Sequence, residues 1–207
     1  MPDSIEWDAG ADRADVCPTS DAELRFRLER RLPVTAGGGR VAARRALTVV
    51  LALYGTYLLR HAGEGSLLDS VDLAIHETGH IVFGPFGELI GFAGGTLMQL
   101  LMPLVFVVYF VRRKDQHAAS VALWWVGQSC ANVSVYAADA RAESLPLVGG
   151  GEHDWAYLLA SFGWLEHDQC IGRTFLALAA LAMLGATVWG LVSASAAPVS
   201  ELSELDA

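Results

Sequence analysis

The chain has few charged side chains: only 18% of its 207 residues are Asp, Glu, Lys or Arg, and 53% are apolar. An ordinary soluble domain has about 25% charged residues. Lys114 is its one lysine, and its basic residues stand next to apolar runs rather than on a basic domain. Basic residues in these positions are more typical of membrane topology signals than of a nucleic-acid-binding surface, so we expect no nucleic-acid partner.

Cysteine is also scarce. Cys17, Cys130 and Cys170 are far apart, their number is odd, and no C-x-x-C motif occurs. The sequence therefore predicts neither a disulfide framework nor a cysteine-based metal site. No apolar run precedes Ala46, so we expect no cleavable signal peptide.

The chain does contain several long runs without a charged residue. The longest are Leu89–Val111, Ala118–Ala138 and Thr174–Ser200, of 23, 21 and 27 residues. A hydrocarbon core of about 30 Å needs around 20 helical residues. Ala46–Leu59 is shorter, but Arg45 and Arg60 at its ends can extend to the two interfaces. These runs predict an all-α, polytopic membrane helix bundle with four spans, the last over Phe175–Val192.

A fifth apolar stretch, Leu67–Phe83, contains the motif His76-Glu77-Thr78-Gly79-His80. On a helix, His76 and His80 lie one turn apart on the same face and can bind one metal ion. Glu77 lies close enough to take a proton from a water molecule beside that ion. The motif predicts a zinc site with Glu77 as general base.

The chain divides into three parts by composition. We predict that residues 1–40 are a cytoplasmic leader, disordered over its acidic first part and with a short amphipathic helix over Ala22–Leu32. Residues 41–195 form the membrane-embedded domain that holds the metal site. Residues 196–207 are an acidic tail.

The distribution of basic residues predicts how the motif helix sits in the membrane. Basic clusters at Arg25–Arg45 and Arg112–Lys114 should both be cytoplasmic, whereas residues 140–172 are mainly acidic. If both clusters are cytoplasmic, the chain must cross the membrane an even number of times between them. The spans Ala46–Leu59 and Leu89–Val111 supply these two crossings. The motif helix should therefore re-enter from the outer side rather than cross, with Asp139 on that same side.

The third metal ligand has several candidates. A catalytic zinc normally has three protein ligands and an open position. Asp139, at the end of a span, and His153, in the long polar loop, are equal first candidates. Asp154, Glu143 and His167 follow them. Asp72, one turn before His76, is better placed to orient a ligand histidine.

Residues 67–140 resemble the core of site-2 protease-like membrane zinc metalloproteases. The resemblance rests on the apolar H-E-x-x-H helix, the glycine-rich stretch that follows it, and a span running from Asn132 to Asp139. It implies that His76, His80 and Asp139 bind zinc, and that Glu77 activates water for peptide hydrolysis in or beside the membrane. The chain departs from that family in having Ala138-Asp139-Ala140 where a Leu-Asp-Gly pattern stands.

The function predicted from the sequence is therefore that of a zinc-dependent integral-membrane hydrolase, a peptidase acting on a membrane-associated peptide or protein. The expected location is a bacterial cytoplasmic membrane. Two alternatives stay open: hydrolysis of a lipid amide by the same chemistry, and a non-catalytic membrane protein that binds metal or a partner. Bound zinc would favour either enzyme over the last alternative.

Overall fold

A computed structural model describes residues 37–66, 68–146 and 151–196, all within one compact unit, Thr35–Ala207. These residues form six α-helices and no strand. The helices are α1 (Gly38–Arg60), α2 (Asp69–Phe83), α3 (Glu88–Arg112), α4 (Gln116–Ala138), α5 (Asp154–Ser161) and α6 (Asp168–Ser193). Short 3₁₀ turns precede α3 and α6, at Gly84–Phe86 and Leu165–His167. The predicted all-α class is confirmed.

Three helices are long and apolar enough to cross a membrane: α1, α3, and α6 with the turn before it. Each has large apolar side chains on its outer surface; Leu53, Val105 and Leu181 are at least 60% exposed. Exposed apolar surface of this extent is unusual on a soluble monomer. The outer surface of these helices therefore suits a lipid environment.

Helix α4 is the centre of the bundle. Each of its residues is buried or half-buried, and α1, α3 and α6 pack around it. It corresponds to the predicted third span, Ala118–Ala138, yet it is not among the three helices apolar enough to count by hydropathy. Its polar side chains explain this, because Gln128 and Asn132 contact neighbouring helices instead of lipid.

The helices place the basic and acidic segments at opposite ends. Arg44, near the start of α1, lies 4.0 Å from Asp115, just before α4. Arg45, Arg112, Arg113 and Lys114 lie with them, and we call this the basic end. At the other end, Arg141 pairs with Asp168 at 2.7 Å and with Glu166 at 3.0 Å. This second group, with Asp139 and Asp154, is the acidic end.

The observed helix bounds differ from the predicted ones mainly at their N-termini. Helix α1 begins at Gly38, eight residues before the apolar run at Ala46, so Gly38 and Gly39 are part of the helix. Helix α6 begins at Asp168, seven residues before the predicted span Phe175–Val192, and α5 occupies Asp154–Ser161 within the long polar loop. The amphipathic helix predicted over Ala22–Leu32 and the acidic tail beyond residue 196 lie outside the described residues.

Glycines let α2 and α3 approach closely. A Cβ at Gly79 would collide with the carbonyl oxygen of Gly94, and a Cβ at Gly94 would lie 2.6 Å from the Cβ of Phe83. Only glycine permits this backbone separation. The contact holds the motif helix against α3 and positions its histidines.

Candidate metal centre

Three side chains converge near the acidic end: His76 and His80 from α2, and Asp154 from the first position of α5. Asp154 Oδ2 lies 2.8 Å from His76 Nε2 and 3.2 Å from His80 Nε2. The potential ligand atoms all lie within 4.8 Å of one another. Among the described residues, this is the group of His, Cys, Asp and Glu side chains whose spacing could hold a metal ion.

Hydrogen bonds at Nδ1 determine which tautomer each histidine adopts when its ring is neutral. His80 Nδ1 lies 2.8 Å from the carbonyl oxygen of Gly91, which can only accept, so Nδ1 carries the proton. His76 Nδ1 lies 3.2 Å from Gln99 Oε1, and Gln99 Nε2 donates to Asn132 Oδ1 at 2.8 Å. In the neutral ring each Nε2 therefore has a free lone pair directed at Asp154.

The two Nε2 lone pairs and the Asp154 carboxylate repel one another unless a cation lies between them. His76 and Asp154 are both 6% exposed, so water screens this repulsion poorly. Either a bound cation or an added proton relieves it. Two imidazole nitrogens and one carboxylate, with the other ring nitrogens fixed by outer partners, match the ligands and supporting contacts of catalytic zinc.

Gly95 leaves the space in which the two Nε2 atoms meet. A Cβ at this position would collide with His76 Nε2 and lie 2.6 Å from His80 Nε2. The glycine-rich segment of α3 therefore serves two purposes: close helix packing and clearance beside the histidines.

Several contacts hold Asp154 in place. His153 caps α5, because its Nδ1 accepts a hydrogen bond from the Ala156 amide at 3.3 Å. Tyr136 in α4 lies behind the carboxylate, with its hydroxyl 3.4 Å from Asp154 Oδ2. The Tyr136 hydroxyl also accepts from the Asp154 amide at 3.3 Å. The end of α4 and the start of α5 together set the ligand position.

The two first candidates for the third ligand, Asp139 and His153, lie beside each other instead of in the three-residue group. His153 Nε2 is 3.7 Å from Asp139 Oδ2. Asp139 accepts hydrogen bonds from the amides of Ser144 and Leu145, at 3.1 and 2.9 Å. Burial opposes its ionisation, but a hydrogen bond from the Ser144 hydroxyl and these two amide bonds outweigh burial and lower the pKa of the Asp139 carboxyl. Its geometry suits a residue that shapes the loop after α4.

The remaining candidates are also outside the three-residue group. Glu143 lies in the turn after α4, in the left-handed backbone region with φ of 46°, and His167 ends the 3₁₀ turn before α6. Asp72, expected to orient a ligand histidine, contacts Trp125 Nε1 at 3.3 Å and Ser129 Oγ at 3.5 Å. Gln99 has the orienting position that the sequence assigned to Asp72.

A cavity of about 730 Å³ opens beside the three residues. Glu77 lines this cavity together with His76 and His80, and its side chain is exposed. The lining also includes Gln128 and Asn132 from α4. A substrate entering the cavity would therefore meet the predicted base and the predicted ligands on one helix face.

Some residues of the site could not be assigned from the sequence. Gln99 and Tyr136 carry a weak signal, because each is a polar group within or at the end of an apolar run, where such groups usually face the bundle interior. The carbonyl of Gly91 carries no such signal, because every residue has a carbonyl group.

Comparison of the chain with known protein families, curated proteins and solved structures gives no match in any of the three.

Proposed function

We propose that the chain is a zinc-dependent integral-membrane hydrolase that cleaves peptide bonds in or beside a bacterial cytoplasmic membrane. The observation that carries this proposal is the convergence of His76, His80 and Asp154 beside Glu77 in one cavity. Both histidines present an Nε2 lone pair to the same carboxylate, and a divalent cation makes that arrangement favourable.

His76, His80 and Asp154 would hold the zinc, which supplies Lewis-acid chemistry at a substrate carbonyl. Gln99 and the Gly91 carbonyl keep the histidines in the tautomer that leaves Nε2 free. Glu77 takes a proton from the attacking water and returns it to the leaving amine. The Glu77 side chain lines the cavity and is not needed as a ligand, so it is available for this transfer.

The proposal includes four spans, formed by α1, α3, α4 and α6. Helix α4 has 23 residues, a length of about 35 Å, which is enough to cross the hydrocarbon core. Helix α2 has 15 residues, about 22 Å, and is too short to cross alone. It would lie in the membrane on the acidic side of the bundle, close to Asp154.

The proposed site retains the arrangement of the site-2 protease-like enzymes that the sequence resembles: two histidines, a glutamate and a later aspartate. Asp154 has the role that the resemblance assigned to Asp139. The supporting geometry is the 2.8 Å separation of His76 Nε2 and Asp154 Oδ2. The proposal thus transfers the third ligand from the end of α4 to the start of α5.

Glu77→Gln tests the chemistry without removing a ligand. Loss of a positioned base should reduce turnover roughly 10²- to 10⁴-fold while zinc content stays near the wild-type level. Turnover is measured on the membrane peptide that accumulates in cells lacking the gene, with zinc content measured in parallel. Glu88→Gln is the matched control, because Glu88 is exposed and does not line the cavity.

Full activity of Glu77→Gln with zinc retained would remove Glu77 from the mechanism. Loss of zinc in this variant would assign Glu77 a structural role instead and withdraw the main support for a hydrolase.

A further inference from the structure

Asp72 is a buried carboxyl group that the proposed reaction does not use. It is 1% exposed and lies in α2, one turn before His76. Its Oδ1 accepts long hydrogen bonds from Trp125 Nε1 at 3.3 Å and from Ser129 Oγ at 3.5 Å. Its Oδ2 has no partner at hydrogen-bond distance among the described residues. A buried carboxyl group with so few close donors is uncommon and needs an explanation.

The side-chain amide of Gln99 connects Asp72 to the metal centre. Gln99 Oε1 lies 3.2 Å from His76 Nδ1, and Gln99 Nε2 donates to Asn132 Oδ1 at 2.8 Å. The same amide also acts on the Asp72 carboxyl as a weaker hydrogen-bond donor. An amide nitrogen has two N–H groups, so Gln99 Nε2 can serve both acceptors.

His76, Gln99 and Asn132 do not by themselves determine which end of the Gln99 amide faces the histidine. If both amides were reversed, Asn132 Nδ2 would donate to Gln99 Oε1, and Gln99 Nε2 would donate to His76 Nδ1. The number of hydrogen bonds among the three side chains would be the same. The neutral ring would then carry its proton on Nε2, which lies 2.8 Å from Asp154 Oδ2. A ring in that tautomer cannot bind a metal through Nε2.

We infer that Asp72 is a positioning residue that keeps the Gln99 amide in the orientation needed for metal binding. The ionised carboxylate can only accept, so it favours the orientation in which Gln99 Nε2 faces it. Reversal would direct Gln99 Oε1 at the carboxylate, and two buried acceptors would then face each other without a donor. Gln99 Oε1 therefore stays toward His76, and Nε2 of the ring stays free. This inference rests on the proposed function, because it concerns the affinity of the same site for zinc.

Asp72→Asn tests this role, because the new amide can donate as well as accept and no longer favours one orientation of Gln99. Asn has the size of Asp and can still accept from Trp125 and Ser129, so the fold should survive. We expect zinc affinity to fall about tenfold, at the lower end of the range typical for loss of a group behind a metal ligand. The measurement is competition with a chelator, on purified protein in detergent.

Asp69→Asn is the matched control. It removes a carboxylate from the same helix, but one whose contacts are Ser66 and Gln128 rather than Gln99. Its zinc affinity should stay at the wild-type level.

Gln99→Glu separates action through Gln99 from a merely structural role of Asp72. A carboxylate at position 99 can only accept from His76 Nδ1, whatever group stands at position 72. In Asp72→Asn protein this second change should therefore restore zinc binding. In wild-type protein the orientation is already correct, and Asp72 repels the added carboxylate. We expect Gln99→Glu to raise zinc affinity about tenfold more in Asp72→Asn protein than in wild type, as a double-mutant cycle measures.

Wild-type zinc affinity in Asp72→Asn would overturn the inference and leave the metal centre intact. An equal effect of Gln99→Glu in both backgrounds would also overturn it, because Asp72 would then act independently of Gln99. The same loss of affinity in Asp69→Asn as in Asp72→Asn would assign the effect to diffuse charge and overturn it too. If the wild-type protein binds no zinc, the proposed metal centre fails and this inference fails with it.

Discussion

The Nδ1 partners of His76 and His80 explain how two histidines of an apolar helix could form the proposed metal site. A lone H-E-x-x-H spacing brings two rings to one face, but it does not say which nitrogen is free. Gln99 and the Gly91 carbonyl decide this by accepting from Nδ1. The same two rings could hold Asp154 as protonated imidazoles, and the metal content of the protein separates that arrangement from a zinc site.

Asp154→Asn should remove most of the zinc. Asp154 Oδ2 contacts both Nε2 atoms. Zinc affinity should therefore fall by more than the roughly 10- to 100-fold reduction that is typical when a hydrogen-bond partner of a ligand is removed. Zinc affinity is measured by competition with a chelator. Asp139→Asn is the control and should keep zinc, because Asp139 contacts Ser144 and Leu145. If Asp139→Asn loses zinc and Asp154→Asn keeps it, the third ligand is Asp139 and not Asp154.

At the level of secondary structure, the main helices could be predicted from the sequence, but the contacts between them could not. Uncharged runs located the helices now observed as α1, α3, α4 and α6, and the motif located α2. The third ligand of the proposed metal site could not be predicted in this way, because residues 140–172 contain several acids and histidines at similar distances along the chain. The contact of α5 with Tyr136 places Asp154 beside the two histidines, and that contact is tertiary.

Gly95→Ala should impair the metal centre through helix packing. The new methyl group would press on both Nε2 atoms, and overpacking of this kind costs roughly 1–3 kcal/mol. We expect weaker zinc binding and a lower unfolding temperature, measured on protein in detergent. Gly185→Ala is the matched control, because a Cβ there meets no atom within 4 Å. Normal zinc affinity in Gly95→Ala would contradict the close approach of α3 to the histidines.

At the scale of the whole molecule, the charged segments lie at opposite ends of the bundle. This separation agrees with the expectation that the two basic clusters share one side of the membrane. Arg44 and Asp115 are within 4.0 Å, so the start of α1 and the start of α4 are neighbours. The chain therefore returns to the same end between them, as an even number of crossings requires.

Reporter fusions test this topology. A fusion after Lys114 should report the cytoplasm, and a fusion at Gly151 should report the outer side, because basic segments are retained in the cytoplasm. Fusion after Ser193 serves as an internal control and should report the cytoplasm, since α6 ends near α1 and α4. An outer-side signal after Lys114 would mean that α2 crosses the membrane completely.

The most direct test of the central claim is the metal content of purified wild-type protein from zinc-replete cells. A centre of His76, His80 and Asp154 predicts about one zinc per chain, and His80→Ala should lose most of it, because two protein ligands rarely hold zinc tightly. Metal analysis of both proteins is the measurement. Wild-type protein that purifies without metal would contradict the account, because the three side chains would then form a protonated histidine–carboxylate cluster.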